Sequence, residues 1–201
     1  TPRGGYEDPV IRFSKKEKLQ GIEIIRLPFC SFGKKPIILR LLGGISLVLQ
    51  SAIRGVFVQG LDNILVSTAP PMSGLAAKFI AFFRNVRIVY WVMDMNPDQM
   101  IASGHLKENS LLARSSEYIN RLTLKKSDTV IALDSFMADR LKAKVELDGR
   151  ISVIPPWPYD DQLVDIAHNK NPFRERHGLN DRFVVMYSGN ITNMHPLDTI
   201  K

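Results

Sequence analysis

Two short stretches carry residue types that can act on a hydroxyl and on a phosphate. The first is Met93-Asp94-Met95-Asn96-Pro97-Asp98, which follows the apolar run RIVYWV at 87–92. A carboxylate closing such a run can orient a hydroxyl or take its proton, and Asp94 can equally cap the turn at Asn96-Pro97. The second is Ser188-Gly189-Asn190-Ile191-Thr192, which follows RFVVMY. A glycine-containing turn at a helix N-terminus presents backbone amides and a positive dipole end to phosphate. Gly189, Asn190, Ile191 and Thr192 are therefore diphosphate-binding candidates, with an ordinary strand-to-helix turn as the alternative. Ser67, Pro71 and Ser73 close the run that starts at Ile64, where strand end and helix cap compete with a binding role. Asp134 and Ser135 close TVIAL at 129–133, where capping is the stronger reading.

The elements that position these residues form a β-α-β pattern over Asp62 to Gly104. Ile64 to Ser67 is a short apolar run suited to a buried strand, and Pro70 and Pro71 stop it. Ser73 suits the cap of a helix whose Leu75, Phe79, Phe82 and Phe83 share one apolar face, expected to point to the core. Arg87 to Val92 is a second strand. Asn96 suits an N-cap, Pro97 the first helical position and Asp98 a favourable first-turn charge, with Gly104 at the C′ position of that short helix. Strands so joined are parallel, with a right-handed crossover. Ligands of such sheets bind beyond the strands' carboxyl ends, which is where Ser67 to Ser73 and Met93 to Pro97 fall.

Elsewhere, Ile22 to Leu27 reads as a strand. Ile37 to Val58 is the most apolar stretch, but Arg40, Gln50 and Arg54 interrupt it. No uncharged run reaches the ~18–20 residues of a membrane span, so the stretch reads as a core helix or as an interfacial helix on anionic lipid. A helix is expected over Ser110 to Lys126, with Leu111, Leu112, Ser115, Tyr118, Ile119 and Leu122 on its apolar face. A helix to about Lys144, a strand at Ile151 to Ile154 and a linker to Asn171 follow. Asn171-Pro172 suits a short helix ending near Gly178, and Arg182 to Tyr187 a further strand.

The 201 residues admit one domain or slightly more. The single Cys30 excludes an internal disulfide and a multi-cysteine zinc site, and points to a reducing compartment. The four histidines show no metal-ligand spacing, so no metal is expected. The net charge of +7 is uneven: residues 1–60 hold ten Lys and Arg against four acids, and residues 131–201 hold nine against ten. A basic first third admits an anionic partner or a merely solvated face. No helix-turn-helix, zinc-finger or stacked-aromatic signature supports nucleic acid as that partner. Neither a signal peptide nor a transmembrane segment is read from the sequence.

Five stretches together resemble the retaining glycosyltransferases of the GT-B fold, family 4, in the group that builds bacterial lipopolysaccharide and exopolysaccharide. They are VSTAPPMSGLAAKF (66–79), VYWVMDMNPDQMIASG (89–104), SDTVIALDSFMADRL (127–141), ISVIPPWPYDD (151–161) and FVVMYSGNITNMHPLDTI (183–200). The resemblance implies an α/β protein with a Rossmann-like parallel sheet flanked by helices. Residues 1–157 would be the acceptor-side domain, without its first strand, loop and helix. Residues 158–171 would be a linker, and residues 172–201 the first strand and loop of the donor domain. Both ends would be truncated and the fragment itself inactive.

The resemblance further implies transfer of a sugar, with retention, from a nucleotide-sugar to a lipid-linked or saccharide acceptor, in the cytoplasm or peripherally on the inner face of the plasma membrane. The nucleotide-sugar is a substrate, so no cofactor is implied. Asp94 would be catalytic, while Ser67, Pro71, Ser73, Asn96, Asp134 and Ser135 would line the acceptor cleft. Gly189 to Thr192 would hold the donor diphosphate. Many relatives carry His-Asp where this chain has Met93-Asp94, which rules out a histidine role. Many also carry a second glycine where Thr192 or Asn193 stands. The alternatives are a sugar-nucleotide epimerase of the same fold and a non-catalytic basic module that binds membrane or nucleic acid.

Overall fold

The computed structural model describes residues 14–28, 37–70, 72–156 and 166–187, without the side chains of residues 37, 38, 40 and 41. The chain divides into two compact units, Thr1–Pro155 and Pro156–Lys201. The first holds a four-stranded parallel sheet of β3 (Asn63–Ser67), β4 (Arg87–Trp91), β5 (Thr129–Ala132) and β6 (Ile151–Val153), paired in that order. Before it come a hairpin of β1 (Lys16–Leu19) and β2 (Ile22–Ile25) and the helix α1 (Ile37–Val56). Helix α2 (Ser73–Arg84) joins β3 to β4. Helices α3 (Asp98–Ala102) and α4 (Leu111–Lys126) join β4 to β5, and α5 (Ser135–Lys144) joins β5 to β6. This is an α/β, Rossmann-like half-fold.

The strands form where apolar, β-branched residues run together between breakers. Ile88, Tyr90, Val92, Val130 and Ala132 alternate along β4, β5 and their ends, and all are buried. Tyr90, Val92, Val130 and Ala132 pack with Leu124 of α4, Ala138 and Leu141 of α5, and Val145 and Leu147 beyond it. Strands added in sequence order by right-handed crossovers place their connecting helices on one face. The opposite face, with Leu65, Val89, Trp91 and Ile131, is less covered, and Leu65 is 63% exposed.

Three expectations about faces and elements change. On α2 the residues buried are Gly74, Ala76, Ala77 and Ile80, while Phe79, Phe82 and Phe83 turn outward. Close approach selects small residues: a Cβ on Gly74 would lie 2.4 Å from the Thr123 side chain, and one on Gly55 would lie 2.3 Å from Ile80. On α4 the buried residues are Ala113, Thr123 and Leu124, whereas Leu111, Leu112 and Tyr118 are exposed. Lys16–Leu19, where no element was expected, pairs with β2 through a two-residue turn, Gln20-Gly21, with φ of 48° and 86°. Positive φ at both turn residues matches the twist of the flanking strands.

In the second unit Asn171 accepts the Phe173 N–H at 3.0 Å and caps α6 (Pro172–Arg176), as its sequence suggests. The strand expected at Arg182 to Tyr187 is absent. No strand forms at 183–187 among the described residues, and Phe183 is 95% exposed. β-propensity alone makes no strand without a ladder partner.

Candidate functional site

The register places the carboxyl ends of the strands side by side. Ser67 stands opposite Trp91, Trp91 opposite Ile131, and Ala132 opposite Val153. Beyond Ser67 the chain turns, and the Thr68 hydroxyl oxygen accepts the backbone N–H groups of Met93 at 3.3 Å and Asp94 at 3.1 Å. Asp94 is thereby fixed through its backbone just past the end of an inner strand. Its side chain is exposed, and no hydrogen bond or ion pair among the described residues engages the carboxylate. Capping of the Asn96-Pro97 turn does not occupy it.

The other expected site residues divide into three kinds. Asp134 is a cap: its Oδ1 accepts the Met137 N–H at 2.7 Å, with Ser135 exposed as the first residue of α5. Ser67 and Ser73 are tied to the strand end. The Ser73 hydroxyl donates to the Ser67 carbonyl, and the Ser67 hydroxyl donates to Ala69 O at 3.2 Å. Ser73 therefore does not cap α2; Met72 stands before the helix with φ 73° and no side-chain bond. Asn96 likewise makes no cap. Pro97 takes the position before α3, and Met95 O accepts the Gln99 N–H at 2.8 Å, so the helix begins one residue later than expected. Gly104 has φ 74° and its N–H bonds Ile101 O, as a C′ glycine should. Pro71 and Gly189, Asn190, Ile191 and Thr192 lie outside the described residues.

Three features near the strand ends have no sequence signal. Thr68 is one. Trp91 is the second: its indole N–H is buried without a hydrogen-bond partner among the described residues, an unusual and costly state for a donor. The third is a charge network around Asp98. Lys144 Nζ lies 2.6 Å from Asp98 Oδ1 and 2.6 Å from Glu117 Oε2, and Arg121 pairs with Glu117 Oε1 at 2.7 Å. It clamps α3, α4 and α5 together from residues far apart in sequence. A composition-level reading sees only four charges on three helices.

Burial pushes the Tyr90 hydroxyl up to about 12. Tyr90 lies beneath α4, with its oxygen 3.5 Å from Asn120 Oδ1, so this shift belongs to the core. Among the described residues no group of three His, Cys, Asp or Glu could hold a metal ion.

No protein-family model matches the chain, and comparison with curated proteins and with solved structures finds no match either. The class is accordingly defined by the fold: an α/β protein whose parallel sheet presents at its carboxyl edge a carboxylate that no described residue engages.

Proposed function

We propose that the chain belongs to a glycosyltransferase that moves a sugar, with retention, from a nucleotide-sugar to a lipid-linked or saccharide acceptor in cell-surface polysaccharide synthesis. The observation that carries this reading is Asp94: a carboxylate without a structural partner among the described residues, held by its backbone at the edge where open parallel sheets bind ligands. In this role Asp94 orients the acceptor hydroxyl and takes its proton as the new glycosidic C–O bond forms on the face of the sugar that the leaving diphosphate vacates. The bond between the anomeric carbon and the donor phosphate breaks, and the nucleoside diphosphate leaves with its electron pair. Such chemistry needs positioning and stabilisation of the leaving group more than covalent help. Ser67, Ser73 and Asn96 belong to the acceptor side, and the Gly189 to Thr192 segment suits the diphosphate by composition. The five-motif resemblance supports the same reading. The work would be done in the cytoplasm, at the inner face of the membrane.

The test is a thermal-shift screen of the full-length gene product against UDP-, GDP-, ADP- and dTDP-sugars, followed by transfer of label from the active donor to a bacterial lipid extract. A bound donor raises the melting temperature by mass action. Asp94→Asn is expected to keep that shift and to lower transfer by about 100-fold or more. Near-normal transfer by the variant would sink the role of Asp94, and no shift with any donor would overturn the reading as a whole.

A further inference from the structure

The connection between β4 and α4 is tied to the neighbouring helices by one side chain. Its base is anchored, since Met95 packs against the core cluster and Pro97 is buried. From Asp98 to Leu112, by contrast, no side chain is buried. The hydrogen bonds of residues 99–109 close within the connection itself. The Ile101 N–H bonds Pro97 O and the Leu106 N–H bonds Met100 O, both at 3.0 Å. Among the described residues of this stretch, Asp98 alone makes a polar contact with another element, and the contact is ionic. Its Oδ1 lies 2.6 Å from Lys144 Nζ, and its Oδ2 lies 3.7 Å from the Arg140 guanidinium.

The two ion pairs differ in weight. The Lys144 side chain is 11% exposed and that of Arg140 67%. An exposed pair contributes little, whereas breaking a largely buried one strands a charge. Lys144 is therefore the residue that holds the segment down. A stretch without buried side chains opens at much lower free energy than core strands do. This one starts four positions after Asp94 and ends at Ser110, the cap of α4. Its movement gives a ligand room at the carboxyl edge while the sheet stays intact.

We propose that residues 98–109 form a flap, latched by Asp98 and Lys144, that opens while the sheet stays folded. The inference stands on these contacts alone and does not depend on glycosyl transfer. Its test is hydrogen exchange on the full chain, read at the Ile101, Ser103 and Gly104 amides. The reference amides are those of Val92 and Val130, which bond Ile131 O and Arg150 O. In the wild type the flap amides are expected to exchange about 100-fold or more faster than the reference pair. Low urea should accelerate the reference amides and leave the flap amides nearly unchanged, because local opening exposes little surface. Asp98→Asn is expected to speed the flap about a further tenfold. Arg140→Ala, which removes only the exposed partner, should change it by less than about threefold. Circular dichroism checks folding, and the wild-type urea dependence decides alone if Asp98→Asn unfolds. Flap amides with the rate and urea dependence of the reference pair would overturn the proposal. So would an Asp98→Asn flap that exchanges at the wild-type rate, and an Arg140→Ala flap as fast as that of Asp98→Asn would overturn the assignment to Lys144.

Discussion

The Thr68 hydroxyl oxygen and the Asp94 backbone N–H meet at 3.1 Å, joining the carboxyl ends of two parallel strands across 26 positions of sequence. The same oxygen accepts the Met93 N–H at 3.3 Å. One small side chain thus sets where the chain leaves β4, and with it where the Asp94 carboxylate stands.

Thr68→Val keeps the shape and removes the acceptor. Two backbone N–H groups then lose their partner, the part-buried one of Met93 and the exposed one of Asp94. Urea unfolding is expected to show a loss of about 1–2 kcal/mol, while Thr68→Ser, which keeps the oxygen, should stay within about 0.5 kcal/mol of wild type. A Val variant as stable as wild type would show that water replaces the bond without cost.

Lys144 is the centre of the charge network, its side chain 11% exposed and its ammonium 2.6 Å from each of two carboxylates. Lys144→Met leaves Asp98 and Glu117 without that partner in a partly desolvated setting. A loss of about 2–4 kcal/mol is expected, since removing the most buried member of the network leaves Asp98 only its longer pair with Arg140 and Glu117 only Arg121. The exposed Lys16–Glu23 pair at 4.0 Å should contribute less than about 1 kcal/mol. Chemical denaturation of Lys144→Met and Lys16→Met separates the two cases.

Gly74→Ala tests the contact between α2 and α4. A methyl group there would fall 2.4 Å from Thr123 Cγ2 and Oγ1, and a β-branched side chain has little freedom to move aside. Overpacking of this kind costs about 1–3 kcal/mol, against which alanine regains up to about 1 kcal/mol of helix propensity. The double variant Gly74→Ala/Thr123→Ala removes the clash and is expected to recover most of the loss, seen as a coupling in a double-mutant cycle.

The Tyr90 hydroxyl, raised to about 12 by burial, makes the fold sensitive to alkali. An unfolded tyrosine ionises near 10, so between about pH 10 and 12 the folded state holds a proton that the unfolded state gives up. Stability is fully present below pH 10 and falls as pH rises to 12, by on the order of 2–3 kcal/mol for two pKa units. Tyr90→Phe should flatten that limb of the stability–pH curve. An unchanged slope in the variant would assign the alkaline loss to other groups.

Local chemistry alone determined a large part of this molecule. The four parallel strands are legible because Ile64 to Ser67, Arg87 to Val92, TVIAL and ISVI are short apolar runs closed by proline or aspartate. Asp134 and Asn171 are legible as caps because a cap bonds a backbone N–H two or three residues on. The position of Asp94 at a strand's carboxyl end follows from the same reasoning. What the sequence leaves open is every choice that depends on what arrives from elsewhere in the chain. Periodicity marks an apolar face on α2 but cannot weigh Phe79, Phe82 and Phe83 against Gly74, Ala76 and Ala77. Only the closeness of Thr123 and of Gly55 makes the small side the buried one. The run at 183–187 has strand composition, yet it forms no strand among the described residues. The oxygen of Thr68 finds Asp94, and Lys144 finds Asp98 and Glu117, because the crossovers return distant segments to the same edge and the same groove. Tertiary packing decides these contacts, since burial and bond geometry reward partners by distance in space, and sequence spacing does not encode that distance.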